Sequence, residues 1–281
     1  MIDKNYGEIF HAIRKQRGFK VMSFEPGVSK SAISRFEMGE TALPIDKLVY
    51  ALDKMKLSLA EFESFSNDFE ASKHNEKLTQ LYPLFYHLDA EGLLRLLGSK
   101  DWTFRLAAQA LYNELTNGKS LRVGEQTQLM RYFLGLSDWG TYELTIAYAT
   151  ISQFSAGQIK MLFEKIKDDT SYHNQIFHYG RRVSQIFLKG AFGLIIVDEE
   201  KSAREILDYT RQFTKKDDLF SLALLYFLEG CYTYHFDLAR TREGLAQIRE
   251  AMHIFTVLGS GHHAEFLRAM AQKYLVIGEM V

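Results

Sequence analysis

Apolar residues recur at helical spacing through most of the chain, while runs that alternate with a period of two residues are nearly absent. Only three prolines occur in 281 residues, and two of them lie within the first 44. Because proline interrupts helices, the later segments are free to form long ones. The pattern predicts an all-α protein.

The first 65 residues carry short apolar stripes separated by turn and capping residues. Gly18 closes the first predicted helix, Tyr6–Gln16, and Pro44 is expected at the first position of the fourth. Ser58 and Glu61 have the spacing of a capping box at the start of the fifth. Five short helices, with a tight turn between the second and the third, are typical of a helix-turn-helix domain.

The stretch from Gly27 to Glu40 has the pattern of a recognition helix. Ser29 is a good N-cap, and Gly39 is expected just after the C-terminal end. One face is apolar, and the other carries small hydroxyls and two cations, which permit close approach to base edges in the major groove. The inward positions are Val28, Ala32, Ile33 and Phe36. The predicted DNA-binding residues are Ser29, Lys30, Ser31, Ser34 and Arg35.

The outward residues of this stretch have different expected roles. Arg35 is expected to contact a guanine or a phosphate, and Lys30 is better placed for a phosphate. Ser31 and Ser34 are permissive partners for base edges. The Ser29 hydroxyl caps the helix, which leaves backbone N–H groups to meet phosphate. A capped surface helix in any all-α protein has the same pattern, so the context must separate the two interpretations.

Charge along the chain supports the DNA-binding interpretation. The net charge is −1, so composition alone gives no general attraction to nucleic acid. From Lys4 to Arg35, however, seven Lys and Arg stand against two acidic residues. From Phe36 to Glu70, three Lys stand against eight acidic residues. The predicted recognition segment is therefore locally basic.

From residue 78 onward, apolar helical segments alternate with short breaks. Antiparallel helix pairs with short connections, repeated about five times, predict a tetratricopeptide-like α-solenoid. The clearest pair covers 219–234 and 243–258, where Gly230 allows the helices to approach closely. Expected breaks include Gly98, Asn117 with Gly118, Gly157, Asp168 with Asp169, and Asp198 with Glu199. The predicted divisions are a DNA-binding domain at 1–65, a linker at 66–77, and a helical-repeat regulatory and dimerisation domain at 78–281.

Several runs of the sequence resemble the Rgg family of transcriptional regulators. The N-terminal runs are Gly7-Glu-x-Phe-x-x-Ile-Arg-Lys15 and Ser29-Lys-Ser-x-Ile-Ser-Arg-Phe-Glu-x-Gly-Glu40. The later runs are Asp138-Trp-Gly-x-Tyr-Glu-Leu144, Arg182-Val-x-Gln-Ile186 and Gly230-Cys-Tyr232. The resemblance implies a homodimer that binds an inverted-repeat operator and is controlled by a short peptide held in the C-terminal helical repeats. It also implies an internal ion pair between Arg14 and Glu37.

The chain departs from this family at positions that matter for the ligand. Well-studied members place asparagines on the concave face, and those positions fall near Ala149 and Lys189 here. Some members have a cysteine that bridges the dimer, in the neighbourhood where this chain has Ile45. A cation at Lys189 could meet a peptide carboxylate. The candidate peptide-binding residues are Tyr148, Arg181, Lys189, Tyr226 and Tyr232; ordinary core or surface roles are the alternative for each.

Signatures of other chemistry are missing. The sequence has no phosphate-binding glycine loop and no catalytic triad motif, and the histidines at 253, 262 and 263 lack metal-ligand spacing. We therefore expect no enzyme activity, cofactor or metal site. One cysteine, Cys231, and the absence of a membrane-length apolar run favour a cytoplasmic protein that does not insert into a membrane. The rival hypothesis is an interaction scaffold whose N-terminal domain serves oligomerisation.

Overall fold

The computed structural model describes residues 6–66, 73–170 and 177–275. Within these ranges the chain forms α-helices, short 3-10 helices and turns, and no strand. The all-α prediction is confirmed. The chain divides into two compact units, residues 1–77 and 78–281. None of the helices in the described ranges is long and apolar enough to span a bilayer.

The N-terminal unit is built from short helices around an aromatic core. Phe10, Phe24 and Ile33 are fully buried there, and the Phe10 ring packs edge-on against Phe36. The elements are α1 Tyr6–Gln16, a 3-10 helix Val21–Phe24, α2 Lys30–Glu37, α3 Ile45–Lys54 and α4 Leu59–Ser66.

Local chemistry sets the ends of these helices as predicted. Gly18 and Gly39 adopt positive φ values of 75° and 72°, a left-handed conformation that suits glycine after a helix. The Ser58 hydroxyl accepts the Glu61 N–H at 3.1 Å, and the Glu61 carboxylate accepts the Ser58 N–H at 2.7 Å. The capping box is therefore confirmed. Pro44 lies one residue earlier than expected, at the N-cap of α3 instead of its first turn.

Eleven further α-helices are described from residue 73 onward, with short 3-10 helices at Ile151–Gln153 and Leu238–Arg240. The α-helices are α5 Lys73–Tyr86, α6 Ala90–Leu96, α7 Trp102–Thr116, α8 Val123–Leu134, α9 Thr141–Thr150, α10 Ala156–Thr170, α11 Phe177–Ile196, α12 Glu200–Phe213, α13 Leu219–Phe236, α14 Thr241–Val257 and α15 Gly261–Leu275. Residues 67–72 of the predicted linker lie outside the described ranges, and residues 73–77 belong to α5.

Adjacent helices in the C-terminal unit pack as pairs, most closely α13 with α14 and α11 with α12. A Cβ on Gly230 would lie 3.0 Å from the Gly244 carbonyl oxygen, so the two backbones approach as closely as the sequence predicted. Two expected breaks are displaced by one or two residues, since the chain leaves helical structure at 154–155, just before Gly157, and α10 ends at Thr170, just after Asp169. Gly157 and the pair Asp168 and Asp169 lie inside α10. A Cβ on Gly157 would meet nothing within 4 Å, so this glycine sits in an ordinary helical turn.

Candidate functional site

Helix α2 is held by a cap at its start and by apolar side chains on its inner face. The Ser29 hydroxyl accepts the Ala32 N–H at 3.3 Å, which satisfies one backbone donor of the first turn. Ile33 and Phe36 are buried in the core of the N-terminal unit. The rest of the helix is consequently turned outward.

The five residues predicted to bind DNA lie together on this outward surface. Ser29, Lys30, Ser31 and Arg35 are exposed, and Ser34 is half-buried. Arg35 Nε lies 3.5 Å from Glu40 Oε2, where both side chains are more than half exposed. Such a solvated contact is weak, so it leaves the guanidinium available to a phosphate or a base.

Behind α2, the predicted ion pair between Arg14 and Glu37 is confirmed. Arg14 donates to Glu37 Oε1 at 2.5 Å and to Oε2 at 2.7 Å, and it also donates to the Phe19 carbonyl at 2.8 Å. His11 Nδ1 lies 2.6 Å from the same carboxylate. Burial raises the pKa of Glu37, but the hydrogen bonds from Arg14 and His11 outweigh it and hold this pKa below its ordinary value. Glu37 is therefore charged and fixes α2 to α1.

Two lysines of α3 bind main-chain carbonyls in the turn that precedes α2. Lys47 Nζ donates to the Gly27 carbonyl at 3.1 Å, and Lys54 Nζ donates to the carbonyls of Ser23 and Glu25 at 3.3 and 3.4 Å. Gly27 itself packs on the Tyr50 ring, where a Cβ would lie 2.3 Å from a ring carbon. Sequence reasoning missed both lysines, because nothing in their local pattern marks them as partners of a turn some 20 to 30 residues away.

A small cavity lies among α5, α7, α9, α11, α13 and α15 in the C-terminal unit. Its volume is about 60 Å³, and most of its walls are apolar. The polar groups in the walls belong to Tyr86, Glu114, Tyr148, Gln185 and Lys189. Mostly apolar walls with a few converging polar groups are typical of a ligand pocket.

The central feature of this cavity is an ion pair that is cut off from solvent. Lys189 Nζ lies 2.8 Å from Glu114 Oε2, and each side chain is only 8% exposed. The ammonium also lies 4.5 Å from the centre of the Phe85 ring and 4.7 Å from that of Tyr148. Burial lowers the pKa of Lys189, and the Glu114 carboxylate opposes that shift without cancelling it. The pair joins α7 to α11.

Glu114 has two further partners that sequence reasoning missed. Ser152 Oγ donates to its carboxylate at 2.8 Å. Lys273, on α15, donates from Nζ to its main-chain carbonyl. Glu114 therefore receives contacts from two lysines that lie on different helices.

A larger groove of about 320 Å³ adjoins the cavity and shares Tyr86 and Gln185 with it. Its walls include Arg181 and Arg182, and Arg181 Nε also lies 3.0 Å from Asp218 Oδ1. His262 and His263 complete one side of the groove. Across the described ranges, no group of three or more His, Cys, Asp or Glu side chains is arranged to hold a metal ion.

The structure separates the five candidate peptide-binding residues. Tyr148 and Lys189 line the cavity, and Arg181 lines the groove. Tyr226 donates to Glu250 at 2.5 Å, and Tyr232 donates to Glu200 at 3.3 Å. Neither of these two tyrosines is among the residues that line the cavity or the groove. Their role in binding a peptide stays a prediction.

Comparison with protein families identifies one model that matches residues 99–269, well over half of the chain. Its description is the C-terminal domain of the HTH-type transcriptional regulator Rgg. The matched span contains Glu114, Tyr148 and Lys189 of the cavity.

Solved structures with the same fold include three bacterial proteins. The Streptococcus dysgalactiae SHP pheromone receptor Rgg2 is 18% identical, with a TM-score of 0.78 over 99% of this chain and 100% of that one. A putative transcriptional regulator from Listeria monocytogenes EGD-e is 16% identical, with a TM-score of 0.79 over 97% and 98%. A bacterial peptide pheromone–receptor complex is 12% identical, with a TM-score of 0.68 over 97% and 99%.

Proposed function

Because the chain belongs to the Rgg family of helix-turn-helix transcriptional regulators, we propose that it is a DNA-binding regulator controlled by a short peptide. Helix α2 reads an operator, and the C-terminal unit holds the peptide. The protein acts in the cytoplasm as a quorum-sensing type of switch.

The observation that carries the DNA-binding role is the outward face of α2. Lys30, Ser31 and Arg35 are exposed there, and none of them contributes to the core. Two cations supply attraction to phosphate, and the small hydroxyls let the helix approach base edges. The ion pair between Arg14 and Glu37 fixes α2 to α1, and Lys47 fixes the turn before α2. Both contacts hold this face of the helix outward.

The proposed protein is a homodimer on an inverted-repeat operator. Two-fold symmetry then requires half-sites whose centres lie about one helical turn of DNA apart, or a multiple of it. Because Ile45 stands where some relatives have a bridging cysteine, the dimer is held without a disulfide. Sedimentation of the full-length protein should give the same dimer mass with and without reducing agent, and a monomer under both conditions would contradict this part of the proposal.

The peptide role is supported by the cavity and by the relatives. One solved protein of this fold is a pheromone receptor, and another is a peptide pheromone–receptor complex. In this chain, Tyr148 and Lys189 line the cavity and Arg181 lines the adjoining groove. A peptide that favours one arrangement of these helices would shift the population of DNA-binding dimers.

Fluorescence anisotropy with DNA from upstream of the protein's own gene tests the DNA-binding role. Specific binding should weaken roughly 10-fold or more in Arg35→Ala, since contacts to charged groups are worth about 1.5–3 kcal/mol. Arg249→Ala is the matched control, because Arg249 is an exposed arginine of α14. Equal binding by both variants would remove Arg35 from the interface. No specific binding by the wild type, together with a stable protein partner, would favour the scaffold hypothesis.

A further inference from the structure

We propose that the ligand presents a carboxylate to Lys189, and that this carboxylate displaces Glu114, which then pairs with Lys273. The inference rests on the proposed peptide function and names the chemical group that the cavity accepts. Three residues are involved, on α7, α11 and α15.

Two ammonium groups and one carboxylate lie in the walls of the cavity or beside them, which leaves one positive charge in excess. Glu114 is the only carboxylate among its described wall residues, while Lys189 lines it and Lys273 bonds to the Glu114 main chain. The nearby tyrosines do not supply the missing negative charge. Burial raises the pKa of Tyr86 to about 12 and that of Tyr148 well above its usual value, so both are neutral near pH 7. One further negative charge would balance the site.

Lys189 has donor capacity that its surroundings do not fill. An ammonium group carries three N–H donors and no acceptor. One acceptor, the Glu114 carboxylate, lies 2.8 Å from Nζ, whereas Phe85 and Tyr148 present ring faces in place of lone pairs. A second oxygen that entered the cavity would meet a buried ammonium, where a charge-assisted hydrogen bond is strong.

The Glu114 carboxylate has an alternative partner in Lys273, whose ammonium already contacts the main chain of Glu114. That ammonium donates to the main-chain carbonyl, and Ser152 Oγ donates to Oε2, the carboxylate oxygen that Lys189 also contacts. When a ligand carboxylate takes Lys189, rotation of the Glu114 side chain toward Lys273 keeps every buried charge paired. Leaving one partner of a buried pair alone would be strongly unfavourable, so this exchange is what allows an anion to enter.

The volume of the cavity sets how much of a peptide enters it. About 60 Å³ accommodates a carboxylate or the tip of a side chain, but not a peptide. The adjoining groove of about 320 Å³ has room for the remainder, and Tyr86 and Gln185 form part of both walls. The exchange would break the ion pair between α7 and α11 and add an ion pair to the hydrogen bond that already joins α7 to α15, which gives the ligand a differential effect on helix packing.

Calorimetry on the full-length protein with three synthetic peptides tests the inference. The first is Leu-Val-Leu-Val-Leu with a free C-terminal carboxylate, the second is its C-terminal amide, and the third is the amide with Asp at the central position. The free acid should bind roughly 10- to 100-fold more tightly than the plain amide. Recovery of binding by the Asp-containing amide would identify a side-chain carboxylate as an equally good source.

Variants separate the carboxylate contact from simple damage to the fold. The double variant Lys189→Met with Glu114→Gln removes one positive and one negative charge together, so no buried charge is left without its partner, and it should bind acid and amide equally. Lys273 is half-exposed and is the second partner of Glu114. Lys273→Met should weaken binding of the free-acid peptide and leave binding of the plain amide unchanged. Lys201→Met, on the surface of α12, is the matched control and should leave the preference for the acid intact.

The outcomes are distinguishable from failure of the proposed function. Equal binding of acid and amide by the wild type would overturn the carboxylate assignment alone. No binding of any of the three peptides would overturn the proposed peptide function, and with it the inference that rests on it. An unchanged preference for the acid in Lys273→Met would overturn the exchange. None of these results bears on operator binding, which the anisotropy experiment measures independently.

Discussion

Arg14 of α1 donates hydrogen bonds to both carboxylate oxygens of Glu37 at the end of α2, and the Arg14 side chain is only 3% exposed. The carboxylate itself is 7% exposed. Because removal of Arg14 leaves the buried Glu37 charge with only the half-exposed His11 as a side-chain partner, Arg14→Met should destabilise the N-terminal unit by about 3 kcal/mol. Hydrogen exchange of the α1 and α2 amides in the full-length protein measures this loss.

The matched control for the ion pair is His11→Ala. His11 touches the same carboxylate but is half-exposed, so its loss should have a much smaller effect. Glu37→Gln with Arg14→Met should recover part of the loss, since no buried charge then stands alone. A double variant as unstable as the single one would contradict an electrostatic cause.

The cations of α2 should leave a signature in the salt dependence of operator binding. Each phosphate contact that is lost reduces the slope of log affinity against log salt by about 1. Lys30→Ala should therefore weaken binding to all DNA sequences and lower the slope, whereas Ser34→Ala should leave the slope unchanged. Titrations at several salt concentrations measure both. A slope that is the same for Lys30→Ala and the wild type would show that Lys30 makes no phosphate contact.

Close packing between α13 and α14 predicts which glycines tolerate a methyl group. A Cβ on Gly244 would lie 2.5 Å from the Tyr234 backbone nitrogen, whereas at Gly230 the nearest atoms lie at 3.0 Å. Gly244→Ala should therefore destabilise the protein by about 1–3 kcal/mol, and Gly230→Ala by less.

Gly124, on α8, is the control, because a Cβ there would meet nothing within 4 Å. Gly124→Ala should leave thermal stability unchanged or raise it by up to about 1 kcal/mol. If Gly244→Ala behaved like Gly124→Ala in thermal unfolding, the α13–α14 contact would have to be looser than described.

His263 should make stability depend on pH. Burial, with smaller contributions from His262 and His87, lowers the pKa of His263 to about 4, whereas an unfolded histidine titrates near 6.5. Between these values the unfolded chain binds the extra proton, so stability is complete above about 6.5 and falls as pH drops toward 4. Thermal unfolding of His263→Phe should show a weaker dependence across this range, and the exposed control His253→Gln should show the wild-type dependence.

Sequence reasoning succeeded where the cause of a structure is local. Gly18, Gly39, Ser29 and the Ser58–Glu61 box mark helix ends through backbone conformation and short-range hydrogen bonds, so a few neighbouring residues determine them. The break expected at Gly157 lies two residues earlier, because Ser155 caps the start of α10: its hydroxyl accepts the Gln158 N–H at 3.4 Å, and Gln158 Oε1 accepts the Ser155 N–H at 2.9 Å.

Contacts between residues far apart along the chain could not be predicted from the sequence. Lys189 was identified as a cation on an inner helix, but Glu114 lies 75 residues earlier and has no local feature that marks it. Lys273 reaches Glu114 from 159 residues away along the chain. Only the packing of α7, α11 and α15 brings these three together, and no spacing rule encodes it.

The supports of α2 have a consequence for how such a protein can diversify. Arg14, Glu37, Lys47 and Lys54 hold the helix and its turn, and none of them belongs to the outward set at Lys30, Ser31, Ser34 and Arg35. Substitutions in the outward set therefore carry little penalty in folding. A lineage of such chains can explore new outward faces one residue at a time while the frame behind them stays the same.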